Sequence, residues 1–208
     1  MSTATNIASA SHGARRVLLV VAVLLPLLVQ PAAADETAGG GGADHVVLAF
    51  NQTDGALRAA SGVAVSITAA NAVGTENLAF ARSTCSDCRT VAVAFQAVPI
   101  IRDVDVIAPA NAAVAVNADC TSCQTAAFAY QYVLTTGGAV HLSPAGQNEV
   151  STIRAEARDL AASDLSFPAL EEQLDALAAR FKSVIDEELV GAGPGALAKR
   201  VDRAGVTP

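Results

Sequence analysis

The chain has no tryptophan, one methionine and only eight other aromatic residues among its 208. Charge is also scarce: 16% of residues are Asp, Glu, Lys or Arg, while 52% are apolar, and that balance excludes wholesale disorder. Basic residues are the minority, 13 against 20 acids, for a formal net charge of −7. A general nucleic-acid binder needs a basic face to neutralise phosphates, so that class is set aside. No H-E-x-x-H, G-x-S-x-G, P-loop or G-x-G-x-x-G occurs, and no Ser/His/Asp arrangement is recognisable. Catalysis by those routes has no support, and no cofactor is called for.

A long apolar run is also lacking. The best is Val17 to Val29, 13 residues, where a spanning helix needs about 20. Arg15 and Arg16 precede it and Ala32-Ala33-Ala34 follows, which reads as an export signal cleaved between Ala34 and Asp35. An uncleaved anchor is the alternative. No cysteine lies near the cleavage site, which argues against a lipoprotein. Residues 1–34 are thus expected to be a signal peptide and residues 35–44, with four successive glycines, a flexible leader. The mature product is expected to be extracytoplasmic or secreted, without a membrane span. Its charge is 11 − 20 = −9, since the signal removes two Arg and no acid.

What is present in the middle is a repeat. Residues 85–98 read CSDCRTVAVAFQAV and residues 120–133 read CTSCQTAAFAYQYV, identical at seven of fourteen positions. From Cys88 the matches fall at every second residue, the side-chain period of a strand. Asn77 to Ala81 matches Asn111 to Ala115 after one residue of slippage, and His45 to Asn51 resembles Asn111 to Asn117. Gly62 to Ile67 takes the place of the second strand in this worn first copy, and Asp54-Gly55 marks a turn. Three two-stranded units are predicted, over 45–68, 77–98 and 111–133, with a last strand at 139–142. Units of this length suggest a solenoid-like or sandwich-like stack over 45–142. Ala-rich runs also suit helices, but the alternation favours strands.

Composition then changes. Ser143-Pro144 opens a helix, with Val150, Ile153, Ala157 and Leu160 at helical spacing. A second helix begins near Ser166 to Pro168 and carries a stripe of Leu170, Leu174, Leu177, Phe181, Val184 and Leu189. Residues 143–191 read as a helical hairpin whose stripe is a packing face, with self-association as the functional alternative. Residues 192–208 read as a loose tail.

Cys85, Cys88, Cys120 and Cys123 form two C-x-x-C pairs, each between the two strands of its unit. Three chemistries compete. Export into an oxidising compartment favours structural disulfides. The pairing is open; local pairs are preferred because a bond between units demands Cα atoms within about 7 Å. A thiol–disulfide enzyme is the second, with Arg89 beside Cys88 favouring thiolate; the following segment reads as a strand, so the usual helix dipole is missing. A four-cysteine zinc site is the third, and its 31 intervening residues exceed the usual ribbon spacing of about 15–20. No metal is therefore assigned. Of the histidines, His12 leaves with the signal, and His45 and His141 form no motif. Asp103 and Asp105 are too few for a calcium loop. Asn51-Gln52-Thr53 fits a glycosylation sequon. Gln96 and Gln131 read as a hydrogen-bonded ladder across units or as solvated side chains.

The doubled motif, C-S-D-C-R-T-V-A-V-A-F-Q with C-T-S-C-Q-T-A-A-F-A-Y-Q, resembles the paired C-x-x-C units of a group of actinobacterial proteins, in which acidic helices follow. In some of them this region is the C-terminal extracytoplasmic part of membrane proteins labelled peptide zinc metalloproteases. The resemblance covers about residues 45–190. The multi-span portion and H-E-x-x-H are missing here, so protease activity does not carry over. The resemblance implies a free-standing secreted version of an accessory domain. The expectation is an α+β chain acting as a disulfide-stabilised, non-catalytic interaction or structural module, with an unidentified protein or peptide partner and no nucleic acid. An extracytoplasmic thiol–disulfide oxidoreductase is the alternative.

Overall fold

Alternation in His45-Val-Val-Leu-Ala-Phe-Asn51 becomes strand β1 (His45–Asn51), in which Val47, Ala49 and Asn51 are buried and the residues between them face out. The computed structural model describes residues 44–191. The expected signal, its cleavage point at Ala34 and Asp35, almost all of the leader, His12 and the tail lie outside the described residues. After β1 come β2 (Leu57–Val65), β3 (Ala72–Val73), β4 (Glu76–Ser83), β5 (Arg89–Ile100), β6 (Val106–Ile107), β7 (Ala110–Asn117), β8 (Gln124–Thr135) and β9 (Val140–Leu142). Helices α1 (Pro144–Ala161) and α2 (Phe167–Glu188) and a short β10 (Leu189–Gly191) close the order. The class is α+β: strands in sheets followed by two helices.

The two strands of a repeat do not pair with each other. Each pairs in parallel with its counterpart one repeat on, giving sheets β1-β4-β7 and β2-β5-β8 and a two-stranded β3-β6. His45 faces Asn77 and Asn77 faces Asn111; Leu57 faces Arg89 and Arg89 faces Gln124. The slippage seen in the sequence has a physical seat at Asp119. Thr84 N donates to Asn51 O and Ala118 N to Ser83 O, so Thr84 and Ala118 are equivalent. One extra residue then precedes Cys120, and Asp119 takes it up in the left-handed region at φ 51°. The short β3 and β6 had no sequence signal; two residues each are too few for periodicity. The strand expected at 139–142 exists as β9, but it pairs antiparallel with β10 instead of joining the repeat sheets.

The two three-stranded sheets meet through small side chains. Val47, Ala49, Ala79, Ala81, Ala92, Ala94, Ala127 and Ala129 form the layer between them. Here alanine serves close approach of two sheets, where propensity alone would have made it helical. The other face of β2-β5-β8 carries the bulky set: Val93, Phe95, Phe128, Tyr130 and Leu134 pack under the helices. With both faces covered, every residue of β5 after Arg89 is buried, as suits a central parallel strand.

The helices begin where the sequence placed them. Ser143 Oγ accepts the Gly146 amide at 3.0 Å, and prolines occupy the first turns of both. The predicted stripe of α2 is its buried face: Leu170, Leu174, Leu177, Phe181 and Val184 join Ile153 and Ala157 of α1 over the sheet. At about 25 cal/mol per Å2, burial of that stripe outweighs anything helix propensity contributes. Tyr132 Oη donates to Asp186 at 2.6 Å, and Lys182 lies over its ring at 4.8 Å. These contacts tie α2 to β8.

Candidate functional site

The cysteines sit at the loop end of the two sheets, after Ser83 and Asn117 close the first strands. Stepping back two residues from the Leu57–Arg89–Gln124 register brings Gly55, Asp87 and Ser122 into line. All three lie in the left-handed region, at φ 67°, 53° and 55°. Gly55 adopts it without cost; Asp87 and Ser122 are non-glycine residues held there by the ladder around them. Gly55 N donates to Ser86 O, and Asp87 N to Thr121 O, while Ser86 N is caught by Asp54 Oδ1 at 2.7 Å. Three loops therefore run in register, and Thr53 and Ala56 stand where the later loops carry cysteine.

Within each pair the Cα atoms are 6.1 Å (Cys85 and Cys88) and 6.0 Å (Cys120 and Cys123) apart, inside the range a disulfide spans. The structure brings the sulfurs of each local pair within disulfide range. Cys85 and Cys88 are 3% and 2% exposed; Cys120 and Cys123 are half-buried. The pairs also approach one another. Cys88 Sγ lies 3.7 Å from Cys123 Sγ, and the sulfurs of Cys85, Cys88 and Cys123 all fall within 4.8 Å. Among the described residues this is the one group of three or more His, Cys, Asp or Glu placed to hold a metal ion. Sequence spacing gave no sign of it because 31 residues separate Cys88 from Cys120, yet parallel pairing sets Cys88 beside Cys123.

Arg89, expected to favour a Cys88 thiolate, is directed elsewhere. Its Nη1 donates to Gln124 at 2.9 Å, its Nη2 donates to the Leu165 carbonyl, and its guanidinium lies 4.4 Å from the Phe167 ring centroid. It anchors the start of α2. Desolvation lowers its pKa from the ordinary value, and Asp164 opposes that shift.

Behind the cysteines runs a polar cluster, buried at Ser83 and Thr90 and reaching the surface at Asn117. Ser83 Oγ hydrogen-bonds both Thr90 Oγ1 at 2.6 Å and Thr125 Oγ1 at 2.7 Å, and Thr125 Oγ1 donates to Asn117. At the opposite end His45 Nδ1 meets Asn77 Oδ1 at 3.0 Å, and Asn77 Nδ2 donates to Asn111 Oδ1 at 2.7 Å. Burial depresses the His45 pKa below its ordinary value; the Asn77 bond opposes this, and Arg154 adds to it. The Gln96 and Gln131 side chains are buried and bonded to each other at 2.7 Å, the ladder arm of the earlier alternatives.

Other sequence candidates resolve differently. Asn51 is 1% exposed, and its Nδ2 donates to the carbonyls of Ala56 and Arg89, so the sequon nitrogen is committed inside the folded chain. Asp103 and Asp105 are exposed on the loop after β5, and His141 is exposed on β9; the sulfur group includes none of them. Between α1 and α2 an open groove is lined by Glu156, Asp159, Leu160, Gln173 and Arg180. Arg180 is bidentate to Glu156 and also pairs with Glu149, so its charge is already matched.

Among the described residues one sheet face is uncovered. On the outer side of β1-β4-β7, Val46, Leu48 and Phe50 are each nearly half exposed, and Phe50 packs on Phe80 with centroids 5.7 Å apart. Val114, on β7 and in register with Leu48 and Phe80, continues this face. No helix of the described residues is long and apolar enough to cross a membrane.

Comparison with known proteins finds no family model, curated protein or solved structure that matches the chain.

Proposed function

We propose that the chain is a non-catalytic module of the cell envelope or extracellular space, a short β-solenoid stapled by the local disulfides Cys85–Cys88 and Cys120–Cys123. The carrying observation is the setting of the cysteines. Cys85 and Cys88 are almost wholly buried, and a strand follows each pair, so neither pair opens a helix whose N-terminus would activate its first thiol. Two equivalent pairs in equivalent loops fit architecture better than a single reacting centre. The doubled C-x-x-C motif is the ground for relating the chain to the extracytoplasmic accessory region described above. The uncovered Val46, Leu48 and Phe50 row supports an interaction role, since a contiguous exposed apolar face is uncommon on a free monomer.

The oxidoreductase reading retains one supporting observation, the 3.7 Å approach of the half-buried Cys123 to Cys88. Reduction potential separates the two. Structural bonds lie below about −300 mV and resist glutathione, whereas a catalytic pair lies well above that. Two pairs that both resist glutathione support the module; a pair that opens readily and reduces a disulfide substrate overturns it.

A further inference from the structure

The sulfur cluster points beyond a staple. We propose that, once both pairs are reduced, Cys85, Cys88 and Cys123 bind one thiophilic divalent cation of the zinc class. Zinc bound tetrahedrally at about 2.3 Å sets its ligand sulfurs about 3.8 Å apart. Cys88 Sγ and Cys123 Sγ are already 3.7 Å apart, and Cys85 Sγ lies within 4.8 Å of both, bonded to Cys88 until reduction frees the two sulfurs to separate to that spacing. The backbone carrying them is fixed across the two loops: Ser86 and Thr121 form a parallel bridge, Asp87 N donates to Thr121 O, and Gln124 N to Cys88 O, both at 2.8 Å. Two ligands come from one loop and one from the next, a set that exists only in the folded chain. Cys120, paired with Cys123 in the oxidised chain, is not one of the three. That leaves three protein ligands and an open fourth position, the pattern of sites that exchange ligands.

Burial supplies the selectivity. Two thiolates 2–3% exposed are costly alone and are stabilised by a metal dication in contact with them. The disulfides and the metal exclude each other. Opening each pair takes two electrons and two protons from an external dithiol, which leaves as its own disulfide. Metal binding then releases three protons, one from each ligating thiol, while Cys120 keeps its proton.

The test uses the full chain, reduced by a phosphine under argon and titrated with Co2+, then Zn2+. The expected result is one Co2+ per chain with thiolate-to-metal charge-transfer absorption that Zn2+ removes. Cys123→Ser should weaken binding at least about 100-fold, more than loss of an outer-shell partner, while Cys120→Ser should change it less than about tenfold. Absence of charge transfer, two ions per chain, or equal losses in the two variants overturns the site. If Cys123→Ser does not fold, proton release by the wild-type chain decides. At about pH 6.5 the thiols start protonated, so three protons per ion support the site, while two or four overturn it. A free-thiol count before reduction reports the disulfides separately, so failure of the metal site leaves the reading of the oxidised module intact.

Discussion

Gln131 Nε2 donates to Gln96 Oε1 at 2.7 Å inside the body of the sheets, and the same nitrogen reaches Thr75 Oγ1 at 3.2 Å. Two amides of the same type, one repeat apart, satisfy each other where water cannot reach them. A buried polar group left without its partner costs about 1–3 kcal/mol. Gln131→Leu is therefore expected to lower unfolding free energy by that amount, and the double change Gln96→Leu/Gln131→Leu by less than the sum of the two single changes. Urea unfolding of the four proteins completes the cycle; strict additivity would sink the coupling.

The buried cysteine pair should matter to stability. A bond closing a four-residue loop contributes about 2 kcal/mol by chain entropy alone. Cys85→Ala/Cys88→Ala should lose at least that much under oxidising conditions. The half-buried pair should lose less when replaced in the same way, because its side chains pack less tightly. Guanidinium midpoints of both variants, with and without reductant, read the difference.

Acid should loosen the end of the sheets that holds His45. Its folded pKa is depressed, chiefly by burial. The folded state therefore binds fewer protons than the unfolded chain as pH falls below about 6.5. The contribution of His45 is fully present above that pH and is lost as pH drops toward the folded value. His45→Asn should flatten stability against pH between about 5 and 7. A profile unchanged by this substitution would refute the assignment.

Gly62 sits where His45 and Val47 press on β2. A Cβ there would meet His45 Nε2 at 2.6 Å and Val47 Cγ2 at 2.8 Å. Gly62→Ala should cost about 1–3 kcal/mol by overpacking. Adding His45→Ala should recover part of that loss, since the nearest atom is then gone. Thermal unfolding of the single and double variants checks this.

On the outer face of β1-β4-β7, Leu48→Lys should leave stability within about 0.5 kcal/mol, as surface changes do, while Phe50→Lys should cost about 0.5–1.5 kcal/mol through the lost Phe80 contact. A charge there should still abolish any association through this face. Sedimentation velocity of the wild type and of each variant, alone and with a partner once known, measures both.

The sequence carried most of the strand pattern. Alternating matches from Cys88 to Val133 marked the inward Ala, Thr and Gln positions, and the α2 stripe from Leu170 to Val184 marked its buried face. Two things were illegible. Partner choice was one: periodicity says which side of a strand is buried, not which strand lies beside it, so parallel pairing between repeats needed the structure. The sulfur triangle was the other, because it follows from that pairing. Nor did the sequence indicate the contacts of Arg89, which come from Leu165 and Phe167, far along the chain.

The first loop is an internal control for the other two. It makes the same turn at Gly55 that Asp87 and Ser122 make, yet it carries Thr53 and Ala56 in place of sulfur. The bend is thus written in the stacked backbone amides, and a cysteine bridge is added to a shape the chain already holds. A bridge added to a loop already bent acts on the unfolded chain, by removing conformations open to it, more than on the shape of the folded one.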